Sequence, residues 1–142
     1  MDKPAYLTKK YVNWLTYQVV GASIEVHRYW GPGLLERVYE KALRHELDLR
    51  GFRVESQKSI PVPYKGTLLD VEFRYDLLVE GILLVETKAV VDMHPIFEAT
   101  LLSYMKHLQM PKGLLLNFHV KNLHKEGLRV FVNEYFAALP EE

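Results

Sequence analysis

The chain has no cysteine, so neither a disulfide nor a thiolate metal site is open to it, and a cytoplasmic setting is expected. No segment approaches the roughly 20 apolar residues that a membrane span needs. The start, Met1-Asp2-Lys3-Pro4, lacks the charged-then-apolar layout of a secretory signal. Charge of one sign is not in excess either, with 18 basic residues against 18 acidic ones. That balance argues against bulk electrostatic capture of nucleic acid, so any such contact must come from a local patch. No Gly-x-x-x-x-Gly-Lys follows a strand, which removes a phosphate loop; Gly31-Pro32-Gly33 reads as a chain reversal between helices. The six histidines show no His-x-x-x-His or His-x-x-Glu-His spacing, which argues against zinc. A Ser or Cys nucleophile motif is missing as well.

What is present suits one domain over residues 1–142, with a core at about 19–133: about half the residues are hydrophobic and a quarter charged. Leu15, Val19, Ala22 and Val26 predict a helix over 8–29 that the Gly-Pro-Gly turn stops. A second helix is expected over 34–49, with Leu35, Val38, Ala42 and Leu47 as its apolar face and Gly51 beyond its end. From Phe52 the period changes to two, and the prolines of Ile60-Pro61-Val62-Pro63 suit an edge strand. Strands follow over 67–72, 73–79 and 82–89. Pro95 opens a crossover helix to about residue 109, and strands at 113–118 (parallel after the crossover) and 128–132 complete the chain. The order ααββββαββ gives an α+β domain, one mixed sheet flanked by helices.

Charge stands out where it is expensive. Asp76, and the triplet Glu86-Thr87-Lys88, lie inside the apolar runs 73–79 and 82–89. Such residues are almost never fully buried unless paired. A two-residue loop at Glu80-Gly81 would pair Asp76 with Val85 and point Asp76 and Glu86 to opposite faces. A three-residue loop, Val79-Glu80-Gly81, puts Gly81 at the left-handed position and pairs Leu78 with Ile82, Asp76 with Leu84 and Arg74 with Glu86. Asp76, Glu86 and Lys88 then share one face, the two carboxylates about 7–8 Å apart on a diagonal. One divalent cation can bridge such a pair; an ion pair with Arg74 or Lys88 is the structural alternative.

Two stretches carry a family resemblance. Gly33-Leu34-Leu35-Glu36-Arg37-Val38-Tyr39 fits the GxxExxY signature, and Ile24-Glu25-Val26-His27, Gly31-Pro32-Gly33, Asp76-Leu77-Leu78-Val79 and Glu86-x-Lys88-Ala89 are similar to the same family. The resemblance runs from about residue 19 to 133. It implies membership of the PD-(D/E)XK nuclease superfamily and a restriction-endonuclease-like fold. The catalytic set it implies is Glu36 from a helix, Asp76 from one strand, and Glu86 and Lys88 from the next. The family's crossover helix typically carries a Gln four residues before a Tyr, both contacting substrate; here the Tyr is Tyr104 and the Gln position is Thr100.

On this reading Asp76 and Glu86 hold Mg²⁺ or Mn²⁺, the backbone carbonyl of Thr87 adds a ligand, and Glu36 completes the shell directly or through water. Lys88, crowded by carboxylates, stays protonated and stabilises charge on the phosphate in the transition state. Without the resemblance, Glu36 is a solvated first-turn glutamate. Tyr39 either braces Glu36 or packs in the core. Lys106, Lys112, Lys121 and Lys125 with His119 and His124 form a phosphate rim or are scattered solvated residues. The expected function is metal-dependent hydrolysis of phosphodiester bonds in DNA or RNA. The alternatives are an inactive nuclease-fold module that binds nucleic acid or a protein, and a structural domain that forms a homodimer through the edge strand at 60–63.

Overall fold

The computed structural model describes residues 1–142. Helix α1 (Lys9–Trp30) starts where Thr8 Oγ1 accepts the Tyr11 N–H at 3.1 Å, a side-chain N-cap. Leu15, Val19, Ala22 and Val26 are its buried stripe, as their spacing requires. It ends at Gly31, whose φ of 68° lies in the left-handed region and whose N–H donates to the His27 carbonyl at 2.7 Å. No helix of the chain is long and apolar enough to cross a membrane.

Helix α2 (Glu36–Leu49) buries Tyr39, Leu43 and Leu47, a row at every fourth residue. The expected face of Leu35, Val38, Ala42 and Leu47 is therefore rotated, and Leu35 is 78% exposed. Tyr39 decides the rotation. Its ring stacks on Phe118 with centroids 4.6 Å apart, and its hydroxyl donates to the Gly31 carbonyl and accepts the Leu34 N–H at 3.1 Å. Of the two roles open to Tyr39, the structure shows packing and a clamp on the Gly-Pro-Gly turn. Phenylalanine there would leave the Gly31 carbonyl and the Leu34 N–H without that partner. Tyr39→Phe should cost about 1–3 kcal/mol in a urea unfolding titration; an unchanged midpoint would show that the turn is held by other contacts.

Seven strands follow: β1 (Val54–Ser56), β2 (Ser59–Tyr64), β3 (Thr67–Arg74), β4 (Leu77–Val79), β5 (Leu83–Lys88), β6 (Lys112–Asn117) and β7 (Leu128–Val132). Helix α3 (Pro95–Leu108) crosses from β5 to β6, which pair in parallel as expected. A five-residue π-helical turn (Leu123–Gly127) precedes β7, and a short α4 (Glu134–Ala137) follows it. The main sheet is mixed, in the order β1-β4-β5-β6-β7, with helices packed on both faces. Leu83, Val85, Leu114 and Leu116 face α1 and α2, whereas Leu84 and Leu115 face Leu101 and Met105 of α3. This is the α+β architecture expected, and it is consistent with a restriction-endonuclease-like fold.

Three expectations need correction. The strands do not form one sheet, because β2 and β3 make a separate antiparallel hairpin whose Leu68, Leu69 and Val71 are exposed. Five strands, not four, precede α3. The stretch 52–64 is cut at Gln57, which takes a φ of 52°, and 73–79 is cut at Tyr75-Asp76. Last, the β4–β5 register pairs Leu78 with Leu84 rather than with Ile82. Both Glu80 and Gly81 have positive φ, 54° and 67°, and the Val79 carbonyl accepts the Ile82 N–H at 3.0 Å. The tight turn thus centres on Glu80-Gly81 and pairing resumes only at Leu83. Glu80 tolerates its left-handed backbone because its N–H donates to the Arg53 carbonyl at 2.8 Å and its carboxylate accepts the Arg53 N–H.

Candidate active site

The corrected register sets Asp76 against Glu86 instead of Leu84, and keeps the parity that puts both on one face. Asp76 sits in the bend before β4, where the chain leaves the β2–β3 hairpin. Its N–H donates to Glu86 Oε1 at 3.1 Å. Its own Oδ2 accepts the Thr87 N–H at 2.8 Å and the Thr87 hydroxyl at 3.2 Å. Neither Asp76 nor Glu86 is ion-paired with Arg74 or Lys88, so the structural alternative of a simple salt bridge does not describe them. Arg74 instead donates to Ser59 Oγ at 3.1 Å.

Glu36 enters from the first turn of α2. The Lys88 ammonium lies 3.9 Å from Glu36 Oε1 and 4.4 Å from the Phe97 ring centroid of α3. Lys88 therefore stands between the two helices that flank the end of β5. Thr100, three residues after Phe97, and Tyr104, four further on, follow along α3, and Tyr104 packs on Phe73 at 5.1 Å. Neither lines the cleft that opens on Asp76.

Two participants were not anticipated. Glu40, one helical turn after Glu36, is buried, and Gln57 Nε2 donates both to its Oε1 and to Asp76 Oδ1, the latter at 3.2 Å. The i,i+4 spacing of Glu36 and Glu40 was the available signal for the first. Gln57 had none, because a chain reversal brings it there. The expected cationic rim also moves. Lys112 is buried and donates to Asn13 Oδ1 at 2.8 Å, whereas Arg37, Lys41, Arg44 and Arg74 line the cleft.

The carboxylates oppose one another. Burial, then the charge of Asp76, pushes Glu86 up to about 9. The same two causes, burial first, bring Glu40 up to about 7. Glu36 is raised by burial, with Lys88 pulling it down and Asp76 pushing it up. A group of oxygen donors that repel one another fits a hard divalent cation. No three acidic or imidazole side chains are spaced to enclose an ion alone, so backbone carbonyls and water would have to complete the shell of any ion held here.

A family model for the PD-(D/E)XK nuclease superfamily matches residues 13–130, a span that includes Glu36, Asp76, Glu86, Lys88 and Tyr104. Neither the curated proteins nor the solved structures gave a significant match. With more than half of its length matched, over the sheet and helices that assemble this acidic and cationic cluster, the chain belongs to the PD-(D/E)XK nuclease superfamily.

Proposed function

We propose that this protein is a nuclease of the GxxExxY type that hydrolyses phosphodiester bonds in nucleic acid with Mg²⁺ or Mn²⁺. The observation that carries the reading is that Glu36 and Asp76 line a cleft rich in cations, with Glu86 bonded to the Asp76 N–H and Lys88 paired with Glu36 behind them. Asp76 and Glu86 would hold the ion with the backbone carbonyl of Thr87, and Glu36 would reach it through water. The bound cation supplies a polarised phosphate oxygen and a water of lowered pKa. Lys88, paired with Glu36 and seated over Phe97, stabilises the charge that grows on the phosphate oxygens in the transition state. Glu36 orients both Lys88 and the attacking water. Thr100 and Tyr104, on α3 beyond Phe97, flank the substrate on the Lys88 side.

The test combines metal and substrate. Mn²⁺ binding only to the folded state should raise its stability by about 2.7 kcal/mol at 100 times the dissociation constant. A panel of labelled DNA and RNA, single- and double-stranded, should be cut by the wild type and not by Asp76→Ala. Stabilisation by Mn²⁺ without cleavage of any substrate would favour a second reading. Thr100, in place of the longer Gln of the family pattern, supports that reading: a module that binds nucleic acid or a protein without cutting. A homodimer, in either case, would use the exposed β2–β3 hairpin.

A further inference from the structure

The cleft beside Asp76 has a volume of about 690 Å³ and no hydrophobic residue in its lining. Four of its nine residues, Arg37, Lys41, Arg44 and Arg74, are cations, and none of these is ion-paired. Unpaired cations that converge on one concave surface are a receptor for a polyanion. Three of them recur at i, i+4 and i+7 on α2, one stripe that rises about 10 Å along the helix. Measured along the axis of a nucleic acid duplex, where one strand places a phosphate about every 3.4 Å, that length covers about three phosphates. Two of the three guanidinium groups are also held in place, Arg44 by the Ser56 hydroxyl of β1 and Arg74 by the Ser59 hydroxyl of β2. Fixed donors lose less freedom on binding.

What the lining lacks identifies the form of the ligand. Single strands are gripped by aromatic rings on which successive bases stack. No aromatic ring lines this cleft. Phe73 packs instead on Tyr104 and His107, with ring centroids 5.1 and 4.9 Å away. Three carboxylates, Glu36, Glu40 and Asp76, line the same cleft beside the four cations, so a backbone lying on the cations delivers a phosphate to the carboxylates.

We propose that Arg37, Lys41, Arg44 and Arg74 form a phosphate track that seats the backbone of one strand of a nucleic acid duplex, without stacking its bases. The proposal rests on the nucleic-acid reading above and adds the duplex form and the residues that hold it. It is tested by fluorescence anisotropy in EDTA, where nothing is cut, with DNA and RNA duplexes and their single strands over a series of KCl concentrations. Four phosphate contacts give a slope of log K against log salt of about −3.6 for a DNA duplex. Changing Arg37, Lys41 and Arg44 together to Gln, a good helix former, should flatten it by about 2.7, with the melting curve unchanged. The DNA and RNA arms identify which duplex is preferred.

An unchanged slope, or tighter binding of single strands than of either duplex, overturns the track even if the protein cuts nucleic acid in Mn²⁺. A flattened slope in a protein that never cuts leaves the track standing and defeats hydrolysis. No binding to any of the four ligands defeats the track.

Discussion

Glu86→Gln is expected to make the metal-free protein more stable at pH 8, by a few kcal/mol, while abolishing its stabilisation by Mn²⁺. Glu86 is 8% exposed, and its folded-state pKa is pushed up to about 9 by burial first and by the charge of Asp76 second. Below the unfolded value, near 4.5, both states carry the proton and no penalty exists. Between there and about 9 the unfolded chain has lost a proton that the folded one keeps, so stability falls as pH rises. The slope approaches about 1.4 kcal/mol per pH unit. Glu40, raised to about 7, adds a second decline that ends lower. Glutamine keeps an oxygen for the Asp76 N–H, which Glu86 Oε1 accepts at 3.1 Å, so the bend before β4 stays anchored. Denaturant titrations from pH 5 to 9 measure the effect: the wild-type curve should drop across this window and that of the variant should drop only where Glu36 and Glu40 titrate. A variant less stable than wild type at pH 8 would mean that the charged carboxylate is a structural partner.

Lys88→Ala should lower kcat by about 10²–10³-fold, the loss typical of removing one charge-stabilising donor. Metal affinity should change much less than kcat, because the Lys88 ammonium is paired with Glu36 at 3.9 Å and acts on Glu86 through its charge, without an ion pair or hydrogen bond to it. The pattern to look for is a fall in kcat at a nearly constant Mn²⁺ midpoint, the signature of an interaction made mainly in the transition state. Removing the ammonium also withdraws the influence that pulls the Glu36 pKa down. The acid limb of the pH–rate profile should therefore move to higher pH, because Glu36 protonates more readily without its partner. Activity equal to wild type would place the chemistry elsewhere.

Much of the site was legible because strand and helix periods are local properties. Asp76, Glu86 and Lys88 fall at even spacing, so an odd-length loop had to put them on one face, whichever odd-length register formed. The buried stripe of α1, the crossover helix and the parallel pairing of β5 with β6 follow from the same kind of local pattern. The GxxExxY resemblance added Glu36, which no spacing rule could have tied to residues 40 and more positions away.

Tertiary structure alone decided the rest. The rotation of α2 depends on a hydroxyl whose partners sit in the turn before the helix and on Phe118, nearly 80 residues on. Counting apolar residues cannot include a polar atom that must be satisfied elsewhere. Gln57 enters the site because it adopts a left-handed backbone and donates its N–H to the Asp76 carbonyl at 2.9 Å, where the β2–β3 hairpin departs from the main sheet. The cations of the cleft were hidden by a net charge of zero. A sum over the chain carries no position, and the folded wall that gathers Arg37, Lys41, Arg44 and Arg74 beside the carboxylates joins a helix to the far end of a hairpin, with Arg74 lying 30 residues beyond Arg44.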